Sequence, residues 1–346
     1  MQKPIAITMG DAAGIGPEII ARCFLQHPVL LENVFVWGDV AAMRRAVRLV
    51  AKDGVPMPLA QVGSLHDLPQ VPPHCLPVLQ SGEPLGEVPY GQVHARSGAF
   101  AGLCVVQAAQ AALRGELAAV VTAPLHKEAL HTAGMPYMQY PGHTELLQAQ
   151  AARHLGIPVA ELPVRMMLAN EELRTVLVSI HVSLREAIAA VTFENVLQTI
   201  LITHHALGKL LGRSPRLAVA GLNPHAGEGG LFGREELDII IPAMQAASSQ
   251  GCVLTGPLAA DTVFMRSRKR IGQKAEFDAV VAMYHDQGLI PVKYQGMDKG
   301  VNVTLGLPLV RTSPDHGTAF DIAGKGIADP SSLLEAIRMA RSLATS

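Results

Sequence analysis

Short apolar runs alternate with segments of helical length along this chain, and that alternation restricts the fold more than any other feature. Ile5–Met9 reads as a strand, passes through a Gly-rich turn and leads into a helix opening at Pro17. Asn33–Trp37 is a second strand, followed by a helix over Val40–Lys52. The stretch 54–92 is rich in Pro and Gly and reads as loops around one or two short strands. His94–Arg114 has helical periodicity, and Leu117–Thr122 is a strand stopped by Pro124. Beyond it, Val164–Leu168 and Thr175–Ile180 read as strands joined in a hairpin through Asn170–Arg174. Leu217–Gly221, Ala279–Tyr284 and Val301–Leu305 are further strands, with helices over Asn195–Leu211, Glu235–Gln250 and Ser331–Leu343. Apolar runs separated by helices predict the α/β class with a largely parallel sheet. At about 150 residues per domain, 346 residues suggest two domains.

Composition narrows the function classes. The chain is 49% hydrophobic with a net charge of −1, which excludes a disordered polymer. Lys and Arg number 28 against 29 Asp and Glu, so there is no basic excess to neutralise a nucleic acid. Mean hydropathy is +0.26, yet no apolar run reaches the roughly 18 residues of a spanning helix. The first residues lack the apolar core and cleavage site of a signal peptide. Four cysteines without a C-x-x-C pair point to a reduced, cytoplasmic protein rather than a disulfide framework. The apolar surplus then reads as a large interior plus part of a subunit interface.

Three of the 14 histidines fall at equivalent places. His181 follows the run Thr175–Ile180, His225 comes four residues after Leu217–Gly221, and His285 follows Ala279–Tyr284. Ligands of open α/β sheets bind outside the carboxyl ends of the strands. Three imidazoles delivered there with one position left open form the donor set of a catalytic metal centre. A single such histidine is more often a hydrogen-bonded residue near the core. The Gly-rich and polar surroundings, Asn223–Gly230 and His285–Gly288, favour the metal reading for the three together. His204 and His205 sit in a helical segment, and His27, His66, His74, His94, His126, His131 and His154 read as unrelated to the set.

A second group suits an anion. Pro141-Gly-His-Thr-Glu145 precedes a helical pattern, and a helix start presents free N–H groups to negative charge. The plainer alternative is an N-cap supplied by Thr144. Lys293, Asn302 and Arg311 lie downstream of His285, with Arg311 suited to bidentate binding. The basic stretch Arg266–Lys274 reads as an exposed loop in preference to an anion site. Gly10-Asp-Ala-Ala-Gly14-Ile-Gly16 is not a Rossmann fingerprint, because Ile19 stands where the third glycine belongs.

Taken together, these segments resemble the 4-hydroxythreonine-4-phosphate dehydrogenase family of vitamin B6 biosynthesis. The resemblance is carried by Met9–Glu18, Thr122-Ala-Pro-Leu-His-Lys127, Gly142-His-Thr-Glu145, Gly221–Gly230, Gly256–Phe264, Tyr284-His-Asp-Gln-Gly288 and Gly300–Thr318, in the family's order. The stretch His316–Pro330 is similar to the nucleotide loop of the isocitrate and isopropylmalate dehydrogenases. This kinship implies two α/β/α domains around an active-site cleft. The chain ends, 1–125 and 290–346, would form the nucleotide-binding domain, and 126–289 an inserted metal, substrate and dimerisation domain. It further implies a homodimer whose active site is shared across the interface, with one histidine ligand coming from the partner. By this resemblance His181, His225 and His285 hold one divalent metal (Zn, Mg, Mn or Co), and His143, Thr144, Lys293, Asn302 and Arg311 bind substrate. His316, Gly317, Thr318, Ala319, Asp321 and Gly324 contact NAD or NADP. Ala12 departs from the family's usual proline, and Tyr137–Tyr140 and Arg266–Lys274 look like small insertions near an entrance.

The reaction this implies is oxidation of 4-phosphooxy-L-threonine to 2-amino-3-oxo-4-phosphooxybutanoate, which decarboxylates to 3-amino-2-oxopropyl phosphate. The general base stays open among Lys127, Asp261, Asp286 and a hydroxide on the metal. The nearest alternative substrates are D-threonate and D-erythronate 4-phosphate. A non-redox metal hydrolase accounts for the histidines but leaves the His316–Pro330 loop unexplained.

Overall fold

A computed structural model describes residues 3–51, 54–269, 275–296 and 299–345. They form two compact α/β units, 1–162 with 307–345 and 163–306. The first opens with β1 (Ile5–Thr8), α1 (Gly16–Gln26), β2 (Val34–Gly38), α2 (Val40–Ala51), β3 (Leu59–Val62) and β4 (Leu76–Gln80). It continues through α3 (Ala95–Leu113), β5 (Ala119–Thr122), α4 (Lys127–Thr132) and α5 (His143–Leu155). The second unit holds β6 (Arg165–Ala169), β7 (Arg174–Leu177), α6 (Leu184–Ala189), α7 (Phe193–Leu211), β8 (Arg216–Ala220) and α8 (Ile241–Ser248). It ends with β9 (Val253–Leu258), α9 (Ala260–Ser267), β10 (Ala279–Ala282), α10 (His285–Lys293) and β11 (Val301–Leu305). The chain then returns to the first unit for β12 (Arg311–Pro314) and α11 (Ser331–Ala344).

The first unit's strands run β3-β4-β2-β1-β5-β12, and every pair among them is parallel. β1, β2 and β5 are buried on both faces, as a helix-covered parallel sheet requires, so they read as unbroken apolar runs. Strand order reverses between β1 and β5, a switch point whose carboxyl edge carries the loops after Thr8 and Thr122. Gly16 enters α1 so tightly that a Cβ there would lie 2.5 Å from the Met9 carbonyl, and Pro17 takes the first turn. In the second unit β7, β10, β8 and β9 are mutually parallel neighbours in that order, while β11 and β7 flank β6 antiparallel. Its core joins Leu168, Leu173, Leu177, Val280, Leu289 and Val292 with Phe264 and Phe277.

Several expectations change. The compact units divide at 162/163 and 306/307, and α4 and α5 pack on α3 within the first unit. β9 and β12 were not anticipated: β9 is half exposed and contains Thr255-Gly-Pro257, and β12 is polar, so neither shows an apolar run. Glu235–Gln250 is not one α-helix, since a π-helical turn over Glu236–Ile240 precedes α8. Arg266 lies in α9 rather than a loop, and pairs with Glu276 while Arg268 pairs with Glu172. Arg270 and Lys274 of that stretch lie outside the described residues. Tyr137 packs against Gly102 of α3, so the Tyr137–Tyr140 segment belongs to the first unit's packing. No helix among the described residues is long and apolar enough to cross a membrane.

Candidate active site

In the second unit, all three histidines follow neighbouring parallel strands at their carboxyl ends: His181 after β7, His285 after β10 and His225 after β8. The strand ends are tied together. Ser179 Oγ donates to the Met283 carbonyl at 3.0 Å, Gln287 Nε2 donates to the Gly221 carbonyl at 2.8 Å, and Gln287 Oε1 accepts from Met283 N at 2.7 Å. The His181 and His285 rings stand 5.7 Å apart. His285 opens α10, and its Nδ1 meets Asp286 Oδ1 at 2.7 Å, which leaves Nε2 for another partner. A carboxylate on the far nitrogen is the usual support of a metal-ligating imidazole.

His181 and His225 share a further trait, since both have left-handed backbone, with φ of 43° and 51°. Non-glycine residues held there carry strain that surrounding contacts must enforce, and such strain concentrates at functional sites. For His225 it belongs to a run continuing through Ala226, Gly227, Glu228 and Gly229. The His225 ring lies against Phe232, centroids 6.0 Å apart. Among the described residues of one chain, no three His, Cys, Asp or Glu side chains converge as a metal cage. The donor set thus fits a divalent ion in its chemistry, and the fold brings two of its members together.

The first unit gathers the anion group. Arg311 begins β12, is 3% exposed, and donates through Nη2 and Nε to Thr122 Oγ1 at 2.8 and 3.2 Å. Burial brings its pKa down to about 10, opposed by the nearby Glu145 carboxylate. His143 is the first residue of α5, behind an extended Gly142 at the N-cap. Thr144 is therefore inside the helix and is not its cap. Burial first, then the Arg311 charge, hold the His143 pKa well below 6.5, and its ring bonds the Ala123 backbone. Its Nε2 is buried without a hydrogen-bond partner. Lys127, at the start of α4, adds a second nearby positive charge, its Cε 3.9 Å from where a Gly142 Cβ would lie. A neutral imidazole, an ammonium and a buried guanidinium at a helix start fit a phosphate or carboxylate. Lys293, at the end of α10, and Asn302, on β11 opposite Leu168, belong to the second unit. Asp261 and Asp286 line one cavity there between α9 and α10.

The stretch His316–Gly326 lies over the Gly10–Gly16 loop. Ile15 N donates to the Thr318 carbonyl at 3.0 Å, and a Cβ on Gly14 would lie 2.9 Å from that residue. Ala319 is left-handed, Gly324 sits against Tyr90, and the His316 Nε2 is buried without a partner. Gly317 and Asp321 are exposed. Close backbone approach beside an unpartnered buried nitrogen suits a nucleotide. His126, which stands outside the three-histidine set, is part of this surround: it caps α4 and stacks on Phe320 at 4.5 Å. Asp11 was missed as well. It is fully buried on Ser97 and Ala13 N, and burial raises its pKa. A charged residue in a loop gives no sequence sign of burial, and only its place between two glycines hinted at it.

Residues 30–340 match the family described as "Pyridoxal phosphate biosynthetic protein PdxA". The chain belongs to this family. It is 50% identical to a curated 4-hydroxythreonine-4-phosphate dehydrogenase of Beijerinckia indica, over 96% of this chain and 93% of the relative. It is 44% identical to a D-threonate 4-phosphate dehydrogenase of Cupriavidus necator, over 99% and 97% of the two chains. The crystal structure of a 4-hydroxythreonine-4-phosphate dehydrogenase from Klebsiella pneumoniae superposes with a TM-score of 0.86 at 40% identity, covering 100% of this chain and 99% of that one. Membership makes the chain an enzyme of a dehydrogenase family with an α/β fold.

Proposed function

We propose that the enzyme oxidises the C3 hydroxyl of 4-phosphooxy-L-threonine with NAD or NADP, giving a β-keto acid that loses carbon dioxide to form 3-amino-2-oxopropyl phosphate. The observation that carries this reading is the group at the start of α5, with Arg311 buried, His143 half-buried and the exposed Lys127 beside them, a built anion site in a member of a dehydrogenase family. His143, kept neutral, offers Nε2, and Arg311 holds its fork fixed on Thr122, so the phosphate or carboxylate docks on preset donors. Thr144, Lys293 and Asn302 complete the substrate set.

His181, His225 and His285 would hold a divalent ion, which lowers the pKa of the hydroxyl being oxidised. The loop of His316, Gly317, Thr318, Ala319, Asp321 and Gly324 would hold the nicotinamide dinucleotide, which accepts the hydride. In this reading the enzyme is a homodimer, and a histidine of the second copy would complete the donor set beside His181 and His285, whose rings stand 5.7 Å apart. The proton acceptor for the hydroxyl is one of Asp261, Asp286, a hydroxide on the metal, or Lys127 in its neutral form. A cytoplasmic location accords with this chemistry.

The 44% identity to a D-threonate 4-phosphate dehydrogenase favours a second reading, in which a hydroxyl replaces the amino group at C2. The test is reduction of NAD and NADP with 4-phosphooxy-L-threonine, D-threonate 4-phosphate and D-erythronate 4-phosphate. The proposal expects the highest kcat/KM with the amino acid; turnover of the sugar acids alone overturns it.

A further inference from the structure

Glu236 is a charged side chain that no function above uses, and it is 1% exposed. Its Oε1 accepts from Leu222 N at 2.7 Å and Asn223 N at 2.8 Å, and its Oε2 accepts from Asn223 Nδ2 at 2.9 Å. It also sits where side chains on two neighbouring glycines would go, since a Cβ on Gly221 would lie 3.2 Å from Oε1 and one on Gly227 2.7 Å from Oε2. From the other side, Gln287 holds the Gly221 carbonyl while Gly221 N donates to Leu258 at 2.8 Å. The backbone just before Pro224 and His225 is thus fixed on both sides, and the carboxylate reaches beneath the left-handed turn that begins at His225.

We infer that Glu236 is a positioning residue that preorganises His225 for a divalent cation. Two properties suit it to that role. A carboxylate has acceptors enough for all three N–H groups, so the strained His225 conformation is enforced without a competing donor. Its negative charge is met only partly by those dipoles and adds attraction for a nearby cation. An isosteric amide fails on both counts: it is neutral, and its NH₂ would face a donor in either flip.

This inference rests on the proposed histidine metal site, and the experiment separates the two. Co²⁺ is titrated into the metal-free protein and its Glu236→Gln variant, with binding read from the visible ligand-field bands. Supporting measurements are far-UV circular dichroism, thermal unfolding and NAD binding. Outer-shell partners of metal ligands typically change affinity 10–100-fold. We expect the variant to bind Co²⁺ at least tenfold more weakly with an altered band shape, at a temperature where its fold and NAD affinity match the parent's. Equal Co²⁺ affinity and spectra in a folded variant overturn the positioning role. Failure of the parent itself to bind Co²⁺, with His225→Ala unchanged from it, overturns the metal site and with it this inference. Should Glu236→Gln not fold, Asn223→Ala removes the Oε2 contact, together with the Asn223 Nδ2 bond to Glu235 Oε2 at 2.6 Å, while keeping both backbone N–H bonds. That variant is expected to weaken Co²⁺ binding severalfold, and unchanged affinity in it overturns the role.

Discussion

Replacing Arg311 by Met should make the ligand-free protein more stable while crippling it as an enzyme. Burial is the chief cause that brings the guanidinium down from its ordinary value to about 10 here. At 1.36 kcal/mol per pH unit, that is a folded-state penalty of about 3 kcal/mol for keeping the charge. The sign follows from the direction. A depressed Arg pKa means that folding disfavours the cation, and the penalty is present at every pH below about 10. Methionine removes it, while loss of the guanidinium's hydrogen bonds, those to Thr122 among them, returns about 2 kcal/mol, leaving about 1 kcal/mol of net stabilisation. At about 2 °C per kcal/mol for a chain of this length, the Tm should rise by ~2 °C. In catalysis the balance reverses. A paired hydrogen bond from a buried cation to a substrate anion is worth about 3 kcal/mol, so kcat/KM should fall roughly a hundredfold, mostly through the substrate KM. The NAD KM should move little. Differential scanning fluorimetry without ligands and steady-state kinetics in both substrates measure these effects. A Tm lowered by several degrees with an unchanged substrate KM refutes the placement of Arg311 as a charge retained for function at the expense of stability.

Other expectations follow from separate parts of the molecule. His225→Ala should lose bound metal and turnover together, checked by metal analysis of the purified variant, and full turnover would contradict its ligand role. Burial pushes the Asp278 carboxyl up, but the Arg213 fork, the Arg216 N–H and the Arg216 guanidinium outweigh it and bring the pKa from 3.8 to about 2. Its contribution to stability is therefore present above about pH 4 and lost as pH falls through about 2. Asp278→Asn should flatten the denaturation midpoint between those values, and an unchanged acid profile would count against it. Gly98→Ala places a Cβ 2.0 Å from the Ala129 carbonyl, a backbone atom that cannot rotate away, where α3 meets α4. Urea unfolding should show a loss of about 3 kcal/mol.

Much of the fold was legible because buried parallel strands have to be apolar on both faces. Ile5–Thr8, Ala119–Thr122 and Ala279–Ala282 stand out for that reason. The hairpin between β6 and β7 was readable too, since Asn170 turns the chain by accepting from Glu172 N and Leu173 N. β12 escaped notice because Arg311-Thr-Ser-Pro is buried by its neighbours and not by its own hydropathy. The three strand-end histidines were visible through position, whereas Glu236 beneath one of them was not. A glutamate in a helical segment ordinarily faces water.

By itself the sequence determined the class of fold, the strands that carry histidines to a sheet edge, and the loops that follow them. Those properties depend on local hydropathy and on the order of residues along the chain. Only the tertiary structure decided which charges are buried, which nitrogen atoms lack partners, and which backbone is held left-handed. Each of these depends on groups far apart in sequence: Arg311 meets Thr122, His143 lies under the Arg311 charge, and Ile15 bonds Thr318. The environment that makes such a residue functional is made of its neighbours in space, and those neighbours are set by packing.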